Sequence, residues 1–302
     1  MVLASKGHRM HDTRSDRVFN IISTTLLVLV LLVSVYPLYF VLIASVSDVN
    51  AVNAGKVVLW PEGFHLDSYI RVFQNQRVLL GYRNTVIYTV LGTLLNLALT
   101  LTAGYALSLE FPGRRVAMFF ITFTMYFSGG LIPTYFLYKD LHLLSTVWVM
   151  IIPGAVSAYN LIIARTFFHT NIPKELYEVA ELDGCSRTRF FFSVVLPLSQ
   201  VLTAILGLFY AVGHWNSYFD ALMFLNERKL HPLQLVLREI LIQNSVPVDD
   251  KMIDPDVAEQ LRQIKELMKY SLIVVSSLPV LIAYPFLQKY FVKGIMIGSI
   301  KG

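Results

Sequence analysis

The sequence predicts an all-α integral membrane protein with six transmembrane helices, and three observations carry that expectation. Hydrophobic residues make up 55% of the 302-residue chain and charged residues 15%, where a soluble chain carries roughly a quarter charged. Apolar runs recur, each long enough to cross about 30 Å of hydrocarbon as a helix of roughly 20 residues. Lysine and arginine gather in the short loops of one side. An apolar chain with its cations beside the membrane gives no support for nucleic-acid binding, despite the net charge of +5.

Residues 1–17 form a basic N-terminal segment. The apolar run that follows is too long for the core of a cleaved signal and lacks a small-residue cleavage site, so it is expected to stay as the first span, about 18–46, kinked at Pro37. Further spans are expected at about 84–108, 116–137, 146–168, 194–224 and 268–292, leaving 293–302 as a tail. Residues 18–292 then form one six-span domain without internal repeats. Pro133, Pro153, Pro279 and Pro285 fall inside or at the ends of spans, where neighbouring helices can satisfy freed carbonyls. Arg14 and Arg17 precede the first span, Arg114 and Arg115 separate the second and third, and Arg165, Lys174, Arg187 and Arg189 separate the fourth and fifth. Both termini and the fourth-to-fifth connection are therefore expected in the cytoplasm.

That connection contains the most informative stretch, EVAELDGCSRTRFFFSVVLP from Glu178 to Pro197. Asn171 is a candidate cap and Pro173 suits a first helical turn, where a missing N–H costs nothing. Leu176, Val179 and Ala180 recur at helical spacing and form one apolar stripe. Gly184 is placed to end this helix in a left-handed conformation, and Ser186 to cap a second one. The single cysteine, Cys185, excludes an intramolecular disulfide and reads as a small tolerated residue. In the external 226–267 loop, Leu233, Leu237, Ile240 and Leu241 share one helical face, as do Leu261, Ile264, Leu267 and Met268, with Arg262 and Glu266 spaced as a pair. These segments either line a pore mouth, meet a partner, or pack as a lid on their own spans.

The chain carries no phosphate-binding GxxxxGK[ST] loop, no HExxH, no GxSxG elbow and no metal-spaced cluster; its seven histidines, His142, His214 and His231 among them, share no motif. A non-catalytic subunit that binds neither cofactor nor metal is expected. The spans are nearly free of ionisable groups, which disfavours an ion-coupled carrier. Asp220, near the outer end of the fifth span, is the main exception; it marks a water-filled or protein-lined position, or an interface residue reaching water. The spans offer neutral polar groups instead, Asn96, Tyr105, Asn160, Trp215, Asn216 and Tyr218, of which Trp215, Asn216 and Tyr218 cluster in the fifth span beside Gly213. Amides and aromatic faces suit sugar rings, though such residues also bond helix to helix.

Glu178-x-Ala180, then Gly184, then Leu196-Pro197 resembles the EAA loop of ABC importer permeases, which docks on the ATPase subunit. Together with YPLYFVLIASVSD at Tyr36–Asp48, FSGGLIPTY at Phe127–Tyr135, HWNSYFDAL at His214–Leu222 and KGIMIGSIKG at Lys293–Gly302, it makes the whole chain similar to type I ABC importer permeases of the carbohydrate-uptake class, of the maltose-permease kind. The nearest branch is that of aldouronate, lipoprotein-operon and alginate transport permeases. Val179 stands where that signature often has alanine and keeps the stripe apolar.

The resemblance implies the six-span MetI-like fold with a cytoplasmic coupling helix between spans four and five. It implies a heterodimer with a second, homologous permease, two ATPase subunits that hold ATP and Mg, and an extracytoplasmic binding protein, all in the bacterial inner membrane. Glu178, Ala180, Asp183, Gly184, Leu196 and Pro197 would couple to the ATPase, and the tail Ser299, Ile300, Lys301 and Gly302 would enter the ATPase dimer interface. Trp215, Asn216, Tyr218 and Asp220 are the substrate-path candidates. The branch implies an oligosaccharide cargo, uronate-containing chains of the alginate or aldouronate type ahead of neutral ones. The competing readings are an ion-coupled secondary sugar carrier and a membrane-embedded enzyme.

Overall fold

The computed structural model describes residues 14–243, Glu266 and 268–285, and all regular structure among them is helical. The first span is helix α1, Arg14–Ala44, with Pro37 inside it. It stands apart from the rest of the chain: only Ile43 and Ala44 of it are buried. The Tyr36 and Tyr39 hydroxyls tie its C-terminal end to the carbonyls of Val58 and Leu59. Two short helices follow, α2 (Val49–Asn53) and α3 (Asp67–Gln74). Asp48 caps α2 by accepting the N–H groups of Asn50 and Ala51.

Helix α4, Gln76–Ser108, starts earlier than the apolar run because the Asn75 side chain accepts the Arg77 N–H and the first turns are buried by protein. It is the axis of the fold. Tyr105 and Leu101, near its C-terminal end, join Phe168, Phe190, Phe191 and Leu206 in one buried cluster. Its N-terminal half joins two others, around Trp215, Leu233 and Leu272 and around Met150, Phe224 and Leu235.

The middle spans depart from the expected continuous helices. The third is two pieces, α5 (Arg114–Tyr126) and α6 (Leu131–Asp140), bent by 116°. The FSGG of FSGGLIPTY is the break: Gly130, with φ of 85°, ends the ladder that an apolar count alone would continue, and Pro133 sits in the first turn of α6, where a missing N–H costs nothing. In place of a span at 146–168 there is a 3₁₀ turn, Val147–Met150, an irregular stretch through Pro153 and Gly154, and α7, Ala158–Asn171. The 14 residues of α7 reach about 21 Å, short of the hydrocarbon thickness. The elbow supplies α8, Lys174–Leu182. The fifth span is α9 (Arg187–Leu198) and α10 (Gln200–Trp215), bent by 81° at Ser199, then α11 (Phe219–Phe224). Pro197 has no N–H to give, and the turn before it, Phe191–Val195, widens to a π-helix. Helix α13, Met268–Pro285, occupies the sixth position; the predicted end of that span, the tail Ser299–Gly302, residues 1–13 and Leu261, Arg262, Ile264 and Leu267 lie outside the described residues. Among the described residues, α1, α4 and α13 are long and apolar enough to cross a membrane alone, and the two bent pairs reach that length only together.

Of the alternatives for the external loop, the first segment packs on its own spans. Helix α12, Leu233–Gln243, buries Leu233, Leu235 and Val236. Side chains of α4 hold the approach to it. Asn84 Nδ2 donates to the Lys229 carbonyl at 2.8 Å and the His231 carbonyl at 3.1 Å, the Tyr88 hydroxyl to Leu230 at 2.8 Å, and Thr85 Oγ1 accepts the Leu233 N–H at 2.8 Å. Asn84→Leu keeps the branched shape of the side chain and takes the donor from both carbonyls, of which that of His231 is buried. It is expected to cost about 1–3 kcal/mol, read as a lower Tm of the detergent-purified protein, whereas an unchanged Tm would show that water replaces the amide.

Candidate functional site

Two places qualify, the elbow and a cavity between α4, α7, α10 and α11. At the elbow, Pro173 is itself the N-cap of α8, with extended backbone and no side-chain bond. Asn171 does not cap α8: its Nδ2 donates to Phe167 at 3.0 Å and closes the end of α7 instead. Helix α8 ends in a Schellman motif, with Cys185 N–H to the Ala180 carbonyl at 2.9 Å and Gly184 N–H to Glu181 at 3.0 Å. Gly184 has φ of 70°, as that motif requires, and Asp183 is the C-cap. Ser186 Oγ accepts the Arg189 N–H at 3.3 Å and caps α9, as expected.

The elbow's buried side takes only Ala180 from the predicted stripe. Tyr177, Ala180 and Cys185 pack on the cluster around Phe168 and Phe190, with the Tyr177 and Phe190 rings edge to face at 5.6 Å. Arg187 Nε donates to the Tyr177 hydroxyl at 2.9 Å, and Lys174 pairs with Glu110 of the α4–α5 turn at 2.9 Å. Lys174 holds the Glu110 carboxyl below its usual range and is itself raised by that bond. The pair therefore persists across neutral pH; it is lost as pH falls through the lowered carboxyl or rises through the raised ammonium. Because Tyr177 takes the inner position, Leu176, Val179 and Leu182 turn outward, 41%, 58% and 89% exposed. Glu178 is exposed beside them, Leu196 packs on the cluster, and Pro197 is exposed.

The cavity has a volume of about 420 Å³. Asn96 of α4 organises one wall: its Nδ2 donates to the Gly154 carbonyl in the irregular stretch, and its Oδ1 therefore accepts from His214 Nε2 at 2.8 Å. Nδ1 is then the acceptor of a neutral imidazole. His214 has room because residue 92 lacks a Cβ; one placed there would lie 2.3 Å from Nε2. The Tyr210 hydroxyl bonds Thr100 Oγ1 at 2.7 Å and accepts the Ser157 N–H at 3.3 Å. Asn160, Tyr138, Phe224 and Asp220 complete the lining.

Of the four residues singled out in the fifth span, Asp220 alone lines this cavity. Trp215 is buried on the other side, its Nε1 donating to the Ser276 carbonyl at 2.9 Å and its ring edge-on to Tyr82 at 5.7 Å. Asn216 closes α10 through a bond to Val212 at 3.0 Å. Tyr218 lies under the Arg238 guanidinium, 5.8 Å from its centroid. The lining residues Asn96, Asn160 and His214 come from three helices that sequence spacing does not connect. The only local signal for His214 was its place one helical turn after Tyr210.

No family model matches the chain. The chain is 39% identical over 288 residues to the polygalacturonan/rhamnogalacturonan transport system permease protein YtcP of Bacillus subtilis, covering 95% of this chain and 99% of that one. It is 37% identical over 296 residues to protein LplC of the same organism, covering 98% and 99%. Among solved structures, a chain of a bacterial ABC transporter involved in the import of the acidic polysaccharide alginate matches with a TM-score of 0.84 and 33% identity, covering 93% of this chain and 99% of that one. The chain belongs to the sugar ABC transporter permeases. As a membrane permease it has a helical fold in which breaks line a polar cavity, where irregular backbone is tolerated.

In this permease Gly92→Ala is expected to drive the imidazole off Asn96 and cost about 1–3 kcal/mol. The Tm of the purified variant checks this, and recovery in a Gly92→Ala, His214→Ala double variant would locate the clash at the ring.

Proposed function

We propose that the chain is one transmembrane half of an ATP-driven importer of uronate-containing oligosaccharides. In this reading it pairs with a homologous permease in the bacterial cytoplasmic membrane, with both termini inside. Two ATPase subunits bind ATP and Mg, and an extracytoplasmic protein delivers the sugar. The chain carries out no catalysis itself.

The observation that carries the ATPase connection is the bare apolar face of α8. Leu176, Val179 and Leu182 project from a helix whose opposite face is anchored by Tyr177, Ala180 and the Schellman turn. Burying each such side chain is worth about 1.5–3 kcal/mol, which only a second surface supplies. A helix fixed at both ends passes a push from the closing ATPase dimer into α7 and α9, where a floppy loop would absorb it. The assignment of Ser299–Gly302 to the ATPase interface rests on the family resemblance. For the cargo, the support is chemical kinship: YtcP is named for polygalacturonan and rhamnogalacturonan, and the alginate importer for an acidic polysaccharide.

Mild detergent extraction of the wild type is expected to bring down an ATPase and a sister permease. Val179→Glu with Leu182→Glu is expected to retain the sister and lose the ATPase, with uptake abolished. Gly184→Asp, which forces a side chain onto φ of 70°, is expected to stay in the membrane, weaken ATPase retention and abolish transport. Wild-type uptake in these variants, or uptake that continues without any ATPase and collapses with an ionophore, would replace this reading with that of a secondary carrier. Binding of acidic and neutral oligosaccharides to the cognate binding protein tests the cargo.

A further inference from the structure

The cavity beside Asn96 has a chemical bias. Asn96, His214 and Tyr210 are engaged with one another's elements, as described above. The Asp220 carboxylate, the Tyr138 hydroxyl and the Asn160 side-chain amide line the same cavity and bond to no described residue. Asn160 is 7% exposed, and an amide so enclosed normally has a partner. Phe209, Tyr210 and Phe224 supply ring faces around them. The volume of about 420 Å³ falls within the roughly 300–1,000 Å³ typical of small-molecule sites.

Among the described residues lining the cavity, Asp220 is the one acidic group, and no lysine or arginine is present. A hydroxyl donates readily to a carboxylate, whereas a second carboxylate beside it is repelled. Aromatic faces accept the apolar face of a pyranose, and an amide serves its hydroxyls as both donor and acceptor.

We propose that this cavity is a sugar subsite that reads hydroxyls and is closed to carboxylates. Asp220 accepts ring hydroxyls, while Asn160 and Tyr138 complete the set. A pyranose passing here turns any acidic substituent away from Asp220. The inference rests on the proposal that the chain is half of an importer. It assigns to this half the neutral face of the cargo.

The test is uptake by the complete importer, reconstituted with its sister permease, ATPases and binding protein in proteoliposomes. The probes are a trigalacturonate and a neutral trisaccharide, and each variant is compared with wild type for the same sugar, so that the binding protein's preference cancels. Asp220→Asn and Asn160→Ala are expected to lower kcat/KM about tenfold for whichever probe is carried, and Tyr138→Phe to lower it several-fold. Faster trigalacturonate uptake in Asp220→Asn would overturn the proposal, because the acid group would then face Asp220. Unchanged uptake in both Asp220→Asn and Tyr138→Phe would also overturn it. Copurification of the sister and ATPases controls for assembly, and if Asp220→Asn does not assemble, Asn160→Ala and Tyr138→Phe carry the same comparison. If only the neutral sugar is transported, the acidic cargo falls while the hydroxyl-reading site is still tested by the same variants.

Discussion

Hydrogen bonds from the side chains of α4 to the backbone of broken segments are the interaction on which the structure depends. In hydrocarbon a free carbonyl or N–H has no water to turn to, so an interrupted helix survives only where protein supplies the partner. Asn96 does this for Gly154, and Asn84, Tyr88 and Thr85 make the same kind of bond to Lys229, Leu230, His231 and Leu233 in the connection that follows the fifth span. Tyr210 from α10 does it for Ser157. With those groups satisfied, the chain can abandon regular helix at 151–157, and the space left there becomes the polar cavity. Stability and the opening for a polar ligand thus share one cause.

The same logic separates the two ends of the molecule. Around the elbow, interactions are aromatic and apolar: Tyr105, Phe168, Phe190 and Phe191 fill the space behind α8, and Tyr177 locks the helix onto them. This end is close-packed by ring contacts. At the other end, polar side chains hold the α12 lid and the cavity wall in a chain of single hydrogen bonds. Each is worth about 0.5–1.5 kcal/mol net and can be exchanged one at a time.

The elbow was legible at the level of motif and cap. Gly184 and Ser186 occupy the turn and cap positions that their side chains dictate, because both are decided within a few residues. Its orientation was not legible. Leu176, Val179 and Ala180 share a stripe by spacing, yet only Ala180 faces the interior; Leu176 and Val179 turn outward because a large Tyr177 ring edge to face with Phe190 buries more than Leu176 could. Of the cavity, Asp220, Asn96 and Asn160 were legible one by one as polar groups in apolar spans, but not their meeting in one place. Trp215 looks like a sugar platform in a linear reading, but its indole N–H is taken by Ser276, a residue 61 positions away.

Composition and the capping pattern of Glu178–Pro197 by themselves determined a helical membrane protein and the place of its elbow, because hydrophobicity and caps are local properties that add along a chain; the permease came from the family resemblance. The tertiary structure alone decided where the spans break, which side of α8 is bare and which polar groups meet in the cavity. Those outcomes turn on hydrogen bonds between residues as far apart as Asn96 and His214, and no local pattern records a partner that lies on another helix.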